Sequence, residues 1–166
     1  LCQLDKIYLS NLTKYNKILQ QRNKLLKDIY YKPELKDTLS IWDSQLLSYG
    51  SKIIERRKLF IEQLNEIIFE IHKQLSGGKE ELHIYYEPNV EIDDYEKKMR
   101  FRQEVDIKLK QTTVGPHRDD FSFMADGIDI RKFGSQGQQR TAALSLKLSE
   151  IELVKKTVKD YPVLLL

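Results

Sequence analysis

Seven consecutive residues, Gly134-Ser135-Gln136-Gly137-Gln138-Gln139-Arg140, concentrate the groups in this chain best suited to gripping an anion. Ser135 and Gln138, three apart, have the spacing of a helix-opening capping box. A helix begun there leaves backbone N–H groups unpaired at the positive end of its dipole. A cap alone does not explain three glutamines and an arginine crowded around one glycine. Phosphate is the anion that such a terminus takes most readily. The segment is therefore either a plain helix start or a phosphate site. It is not a complete nucleotide site. A P-loop needs Gly-x-x-x-x-Gly-Lys-Ser/Thr, and the only Gly-Lys pair, Gly78-Lys79, is followed by Glu80 and lacks the earlier glycine.

The elements that must carry this segment can be read from periodicity. Tyr8, Leu12, Tyr15, Leu19, Arg22, Leu26 and Ile29 recur at alternating spacings of four and three, the mark of a long helix that Pro33 stops. A second helix is expected from about Leu39 to Leu75, on a stripe of Leu47, Ile54, Ile61, Leu64, Ile68, Ile71 and Leu75, with Gly50 and Arg57 on the same seam and Trp42 as a packing anchor. Two long helices with a short polar connector pack as an antiparallel hairpin. Ser76-Gly77-Gly78 caps the second, Leu82 to Tyr86 reads as a strand, and Asp93 to about Gln103 as a third helix with Ile92, Tyr95 and Met99 on one side. Val105, Ile107 and Leu109 alternate as in a strand. Asp126-Gly127, flanked by Phe121, Phe123, Ile128 and Ile130, predicts a hairpin. A helix with Leu144, Leu148 and Ile151 on its inner face follows the motif, then a buried strand after Pro162. The expected class is α+β: a helical hairpin arm over residues 1–78, and a mixed α/β part over 79–166. The opening Leu1 and the apolar close Val163-Leu164-Leu165-Leu166 read as those of an internal piece of a longer protein.

Composition excludes several classes. Charged residues make up 32% of the chain, yet the net charge is only +3, so no strongly basic nucleic-acid footprint is visible. Cys2 is the only cysteine, so no internal disulfide forms. No apolar run reaches membrane-spanning length and no signal peptide opens the chain. His72 and His83 have no partner at metal-ligand spacing, and no metal site is expected.

Other charged groups have two readings each. Gly115-Pro116-His117-Arg118-Asp119 reads first as a turn in which Arg118 pairs with Asp119 or Asp120; the alternative has His117 and Arg118 facing a nucleotide or a dimer partner. Arg56-Arg57-Lys58, and Lys97 and Lys98 with Arg100 and Arg102, are either solvated faces balanced by Glu55, Glu62 and Glu96, or DNA-phosphate contacts. Leu75-Ser76-Gly77-Gly78-Lys79 resembles an ABC signature, but it closes a helix, where the dipole repels anions. His117-Arg118-Asp119 lacks the asparagine of a kinase catalytic loop, since position 124 is Met124.

The segment from Gly134 to Thr141, continued by Leu144-Ser145-Leu146-Lys147-Leu148, resembles the signature motif of ABC-type ATPases as it occurs in the RecF family of bacterial DNA-repair proteins, relatives of the SMC-like ATPases. Thr112-Thr113-Val114-Gly115-Pro116-His117-Arg118-Asp119-Asp120-Phe121 and Leu19-Gln20-Gln21-Arg22-Asn23-Lys24-Leu25-Leu26 add to the resemblance, in the same order and at similar spacing.

The resemblance implies part of an ABC-type ATPase head. Two heads would meet head to tail as an ATP-dependent homodimer, the P-loop of one holding ATP and the signature of the other capping it. Ser135 and Gly137 would touch the γ-phosphate, Gln136 and Gln138 would frame it, and Gln139 and Arg140 would complete the segment. The Walker B strand would end in carboxylates for Mg2+, but the chain stops at Leu166 before any. This piece alone should therefore bind no cofactor and turn over no ATP, although the full-length protein would be a weak DNA-dependent ATPase. The resemblance further implies a cytoplasmic protein of the SOS response, acting at single-strand/double-strand DNA junctions. RecO and RecR would be its partners and RecA loading its outcome. The competing readings are another SMC-like head, which calls for a far longer coiled coil, and a helical-hairpin adaptor that binds no nucleotide.

Overall fold

The computed structural model describes residues 1–158 except residue 3. The described chain is mostly helical, with one small three-stranded sheet, an α+β organisation. It forms two compact units that interleave along the sequence: Leu1–Arg57 with Pro88–Asp120, and Lys58–Glu87 with Phe121 onward.

The first unit is built on a helical hairpin. Helix α1 (Lys6–Ile29) starts where the Asp5 carboxylate accepts the Tyr8 N–H at 2.8 Å, a bond that holds Asp5 below the usual carboxylate pKa. Pro33 ends α1 as expected and opens a tight turn, Pro33–Thr38, that leads straight into α2 (Leu39–Leu75). Asp5 pairs with Arg56, Tyr8 with Arg57 and Arg22 with Asp43, so the two helices run antiparallel. Tyr15, Leu26, Leu39, Leu46 and Ile53 are buried along this hairpin. On the expected α2 stripe, Leu47 is only half-buried and Leu75 is exposed where the helix ends. Gly50 has a packing reason, since a Cβ there would stand 2.6 Å from a ring carbon of Tyr95.

Tyr95 lies on α3 (Ile92–Leu109), which corrects the strand expected over Val105, Ile107 and Leu109. The helix runs on through this stretch, and its one buried residue there is Asp106, not an apolar side chain. A buried carboxylate breaks the apolar 3.6-residue pattern and leaves a spurious alternation of period two. Lys110 then ends the helix in the left-handed conformation, its N–H bonded back to Asp106 and Ile107.

The second unit contains the rest of α2, the sheet and the last helices. Gly77 and Gly78 take positive φ and close α2, the Gly78 N–H reaching the Lys73 carbonyl at 2.7 Å. Strand β1 (Leu82–Glu87) pairs with β2 (Asp120–Ala125), whose neighbour is the short β3 (Ile128–Asp129). The Asn65 amide on α2 exchanges two hydrogen bonds of 2.8 Å with the backbone of Ile84, occupying donor and acceptor groups that β1 would otherwise leave open. The β2–β3 hairpin turns on Asp126 and Gly127, both at positive φ as its turn type demands. Ile130 does not extend β3 but opens a single-turn helix, α4 (Ile130–Phe133), capped by Asp129.

Helix α5 (Gln136–Val158) also departs from expectation. Leu144 and Leu148 are exposed and Ile151 is half-buried; the buried face is Ala142, Ser145, Ser149 and Leu153. Ser145 and Ser149 tolerate burial because each hydroxyl donates to a carbonyl one turn back, Thr141 at 2.8 Å and Ser145 at 2.7 Å. The strand expected after Pro162 lies outside the described residues.

Candidate nucleotide-capping site

Gly134–Arg140 joins α4 to α5, and hydrogen bonds sort its residues into two groups. The Ser135 hydroxyl accepts the Gln138 N–H at 3.2 Å while the Gln138 side-chain oxygen accepts the Ser135 N–H at 2.8 Å, a complete capping box. The other end of that amide, Gln138 Nε2, donates to Glu80 Oε1 at 2.9 Å. Gln139 Nε2 donates to the carbonyls of Ile130 and Gly134, both at 3.2 Å, and so staples the loop. Gln138 and Gln139 are thus engaged in holding the segment.

What remains faces outward. Gln136 and Arg140 are exposed, with no side-chain partner among the described residues. Among the described residues the N–H groups of Gln136 and Gly137 open α5 unpaired, and the Ser135 hydroxyl keeps a proton to donate. Gly137 is the informative residue. Its φ is ordinary, and the nearest atom to a Cβ built there is Ser135 Oγ at 3.8 Å. At Gly134, by contrast, a Cβ would stand 2.6 Å from the Ile130 carbonyl oxygen. The fold needs glycine at 134 and has no use for it at 137.

Behind this segment lies a cluster that its own sequence does not announce. His72 is buried on α2, and its Nδ1 stands 2.8 Å from Ser145 Oγ on α5. Because the Ser145 proton is given to Thr141, Nδ1 must be the donor in that pair. His72 Nε2 has no hydrogen-bond partner among the described residues and lies 3.7 Å from Glu80 Oε2.

Residues Gly115 to Asp119 belong to a polar network inside the first unit. Pro116 is buried. Gly115, at φ 132°, donates its N–H to Asn89 Oδ1 at 3.1 Å. Asp119 pairs with Arg57 at 2.7 Å and accepts the Asn89 N–H at 2.8 Å. His117 Nε2 lies 3.0 Å from the Thr112 carbonyl, which only accepts, so this nitrogen carries the proton and Nδ1 takes the Tyr15 hydroxyl at 2.7 Å. Burial pushes the His117 pKa down, and pushes the phenols of Tyr15 and Tyr95 up, so the ring is kept neutral against two protonated hydroxyls. Arg118 does not pair with Asp119 or Asp120. It is exposed and unpartnered among the described residues, because Arg57 occupies the carboxylate beside it.

Arg22 and Asn23 lie in the same network. Arg22 bonds Asp43, Asp106 and Thr112 at 2.6, 2.7 and 2.9 Å, and Asn23 Oδ1 accepts from both the N–H and the hydroxyl of Thr112 at 2.7 Å. Burial raises the Asp43 pKa and Arg22 opposes the rise. The basic residues of α3 are largely engaged: Lys98 bonds the Asn89 carbonyl, Arg102 reaches Thr113 and Arg100 pairs with Glu96, while Lys97 stays exposed and free among the described residues. Arg56 and Arg57 are held by Asp5 and Asp119. Among the described residues, no three His, Cys, Asp or Glu stand where they could hold a metal ion, and no helix is long and apolar enough to cross a membrane.

No protein-family model matches the chain. It is similar to the DNA replication and repair protein RecF of Agathobacter rectalis, 62% identical over 166 residues that cover all of this chain and 46% of that protein. RecF of Acetivibrio thermocellus is 45% identical and is covered to 48%. The chain therefore spans about half the length of these relatives. Its backbone is similar to a solved recombination mediator protein, RecF-ATPrS of the RecFOR pathway, with a TM-score of 0.90 and 36% identity over 96% of this chain and 45% of that one. The corresponding RecF-ATP structure gives 0.87. With identity of this order running along its full length on so similar a backbone, the chain belongs to the RecF family.

Proposed function

We propose that this chain is part of a RecF-type DNA-repair ATPase, in which Gly134–Arg140 closes over an ATP held by a second subunit. Gly137 carries the reading. A glycine that the fold does not require, with its own N–H and that of Gln136 unpaired among the described residues and beside a hydroxyl with a free proton, leaves room for a phosphate to approach the backbone. Ser135, Gln136, Gly137 and Arg140 would face the nucleotide, and Gln138 and Gln139 would hold them in place. Residues 1–78 would act as the arm and residues 79–166 as part of the head. The P-loop and the carboxylates that bind Mg2+ and polarise water would lie elsewhere in the protein, so turnover would need both. DNA at single-strand/double-strand junctions, RecO and RecR, and through them RecA, would be its partners in the bacterial cytoplasm. Similarity to RecF proteins solved with ATP and assigned to the RecFOR pathway supports this assignment.

The test is the full-length protein carrying Gly137→Asp, examined by sedimentation with and without ATP. The added carboxylate should abolish ATP-dependent dimerisation while a fluorescent ATP analogue still binds the monomer. Undiminished dimerisation would sink the reading.

A further inference from the structure

Glu80 stands outside every motif the sequence displays, yet it is the acceptor on which the signature segment rests. Its Oε1 takes Gln138 Nε2 at 2.9 Å, and Gln138 in turn closes the capping box on the Ser135 N–H at 2.8 Å. The second tether of α5 comes from the same region of chain. His72 reaches Ser145, two turns beyond Gln138, at 2.8 Å. His72 and Glu80 face each other at 3.7 Å, so two contacts on α5 are answered by two neighbouring groups beneath it. A rigid body fixed at two points along its axis is held in direction as well as position.

We infer that Glu80 is a positioning residue for the nucleotide-capping segment, fixing the start of α5 through Gln138 while His72 fixes its third turn through Ser145. This rests on the capping role given above to Gly134–Arg140. Without Glu80, Gln138 can leave Ser135, and the N–H groups and hydroxyl that would meet a phosphate lose their fixed direction; such groups act only when preorganised. The geometry around Glu80 says which replacement must succeed. With Nδ1 donating to Ser145, His72 turns Nε2 toward Glu80 Oε2 at 3.7 Å, beyond hydrogen-bond distance. Glutamine at position 80 would keep a carbonyl for Gln138 and the same reach toward His72. Aspartate would fall one methylene short of both.

The experiment compares full-length Glu80→Ala, Glu80→Asp and Glu80→Gln. Amide hydrogen exchange at residues 135–139 reads the segment itself, sedimentation with ATP reads the dimer, and a fluorescent ATP analogue reads nucleotide binding to the monomer. Glu80→Ala and Glu80→Asp should speed exchange at Ser135 and weaken ATP-dependent dimerisation, each by about tenfold, with monomer binding unchanged. Glu80→Gln should match the unaltered protein in all three. Should Glu80→Ala fail to fold, Gln138→Ala removes the same bond from its other end and must give the same pattern. Unchanged exchange in Glu80→Ala, or a Glu80→Gln variant no better than alanine, would overturn the positioning role alone. Faster exchange with undiminished dimerisation would instead overturn the capping role on which it rests.

Discussion

Arg22 and Asp106, 84 residues apart in sequence, meet at 2.7 Å with both side chains fully buried. The same guanidinium bonds Asp43 and Thr112, so one cation answers two carboxylates. Removing it strands both. Arg22→Leu should lower the unfolding free energy by about 3–5 kcal/mol, measured by urea denaturation. Arg22→Lys should recover little, because an ammonium cannot reproduce the guanidinium fork.

Two glycines should respond oppositely to alanine. Gly137→Ala meets ordinary φ and open space, so stability should hold or rise by about 0.5 kcal/mol in thermal melts. Gly115→Ala meets φ 132° and the hydroxyls of Tyr15 and Tyr95, and should destabilise by about 2–4 kcal/mol. A marked loss of stability in Gly137→Ala would mean that the fold does need glycine there.

His117 should make stability depend on pH near neutrality. Its folded pKa lies below the ordinary 6.5, so the unfolded chain binds the proton more readily. The contribution is complete above pH 6.5 and is lost as pH falls from there through the lowered folded value. His117→Asn should flatten the slope of melting temperature against pH in that window. Asp43, whose pKa burial raises, is common to both proteins and cancels in the comparison.

The lysines and arginines of α3 should divide by what already holds them. Lys97→Ala combined with Arg100→Ala removes exposed charge. If α3 lies against DNA in the whole protein, the slope of log affinity against log salt should fall by about one to two, at unchanged melting temperature. Lys98→Ala combined with Arg102→Ala should lower the melting temperature, since both residues bond within the fold.

The helices α1 and α2, the glycine cap and the Asp126-Gly127 turn were legible because each follows from local chemistry: apolar spacing, positive φ, a proline. The errors share a cause. Over Val105–Leu109 and on the inner face of α5, the buried positions are Asp106, Ser145 and Ser149, which apolar patterning reads as solvent-facing. Their burial is sustained by partners such as Arg22 and His72, far away in sequence. The candidate site divides in the same way. Ser135, Gln138 and Gly137 could be read directly, because a capping box is local. Glu80 could not, since it lies 58 residues from the Gln138 it supports.

The interleaving of the two units has a consequence in time. Residues Leu1–Arg57 leave the ribosome well before Pro88–Asp120, with which they form one unit. Until then Arg22 lacks Asp106 and Thr112, Tyr15 lacks His117, and Arg57 lacks Asp119. The nascent hairpin must wait with its polar interior open while all of Lys58–Glu87 is made. During that interval the open interior is accessible to chaperones and proteases, and slowing translation across that stretch would lengthen it.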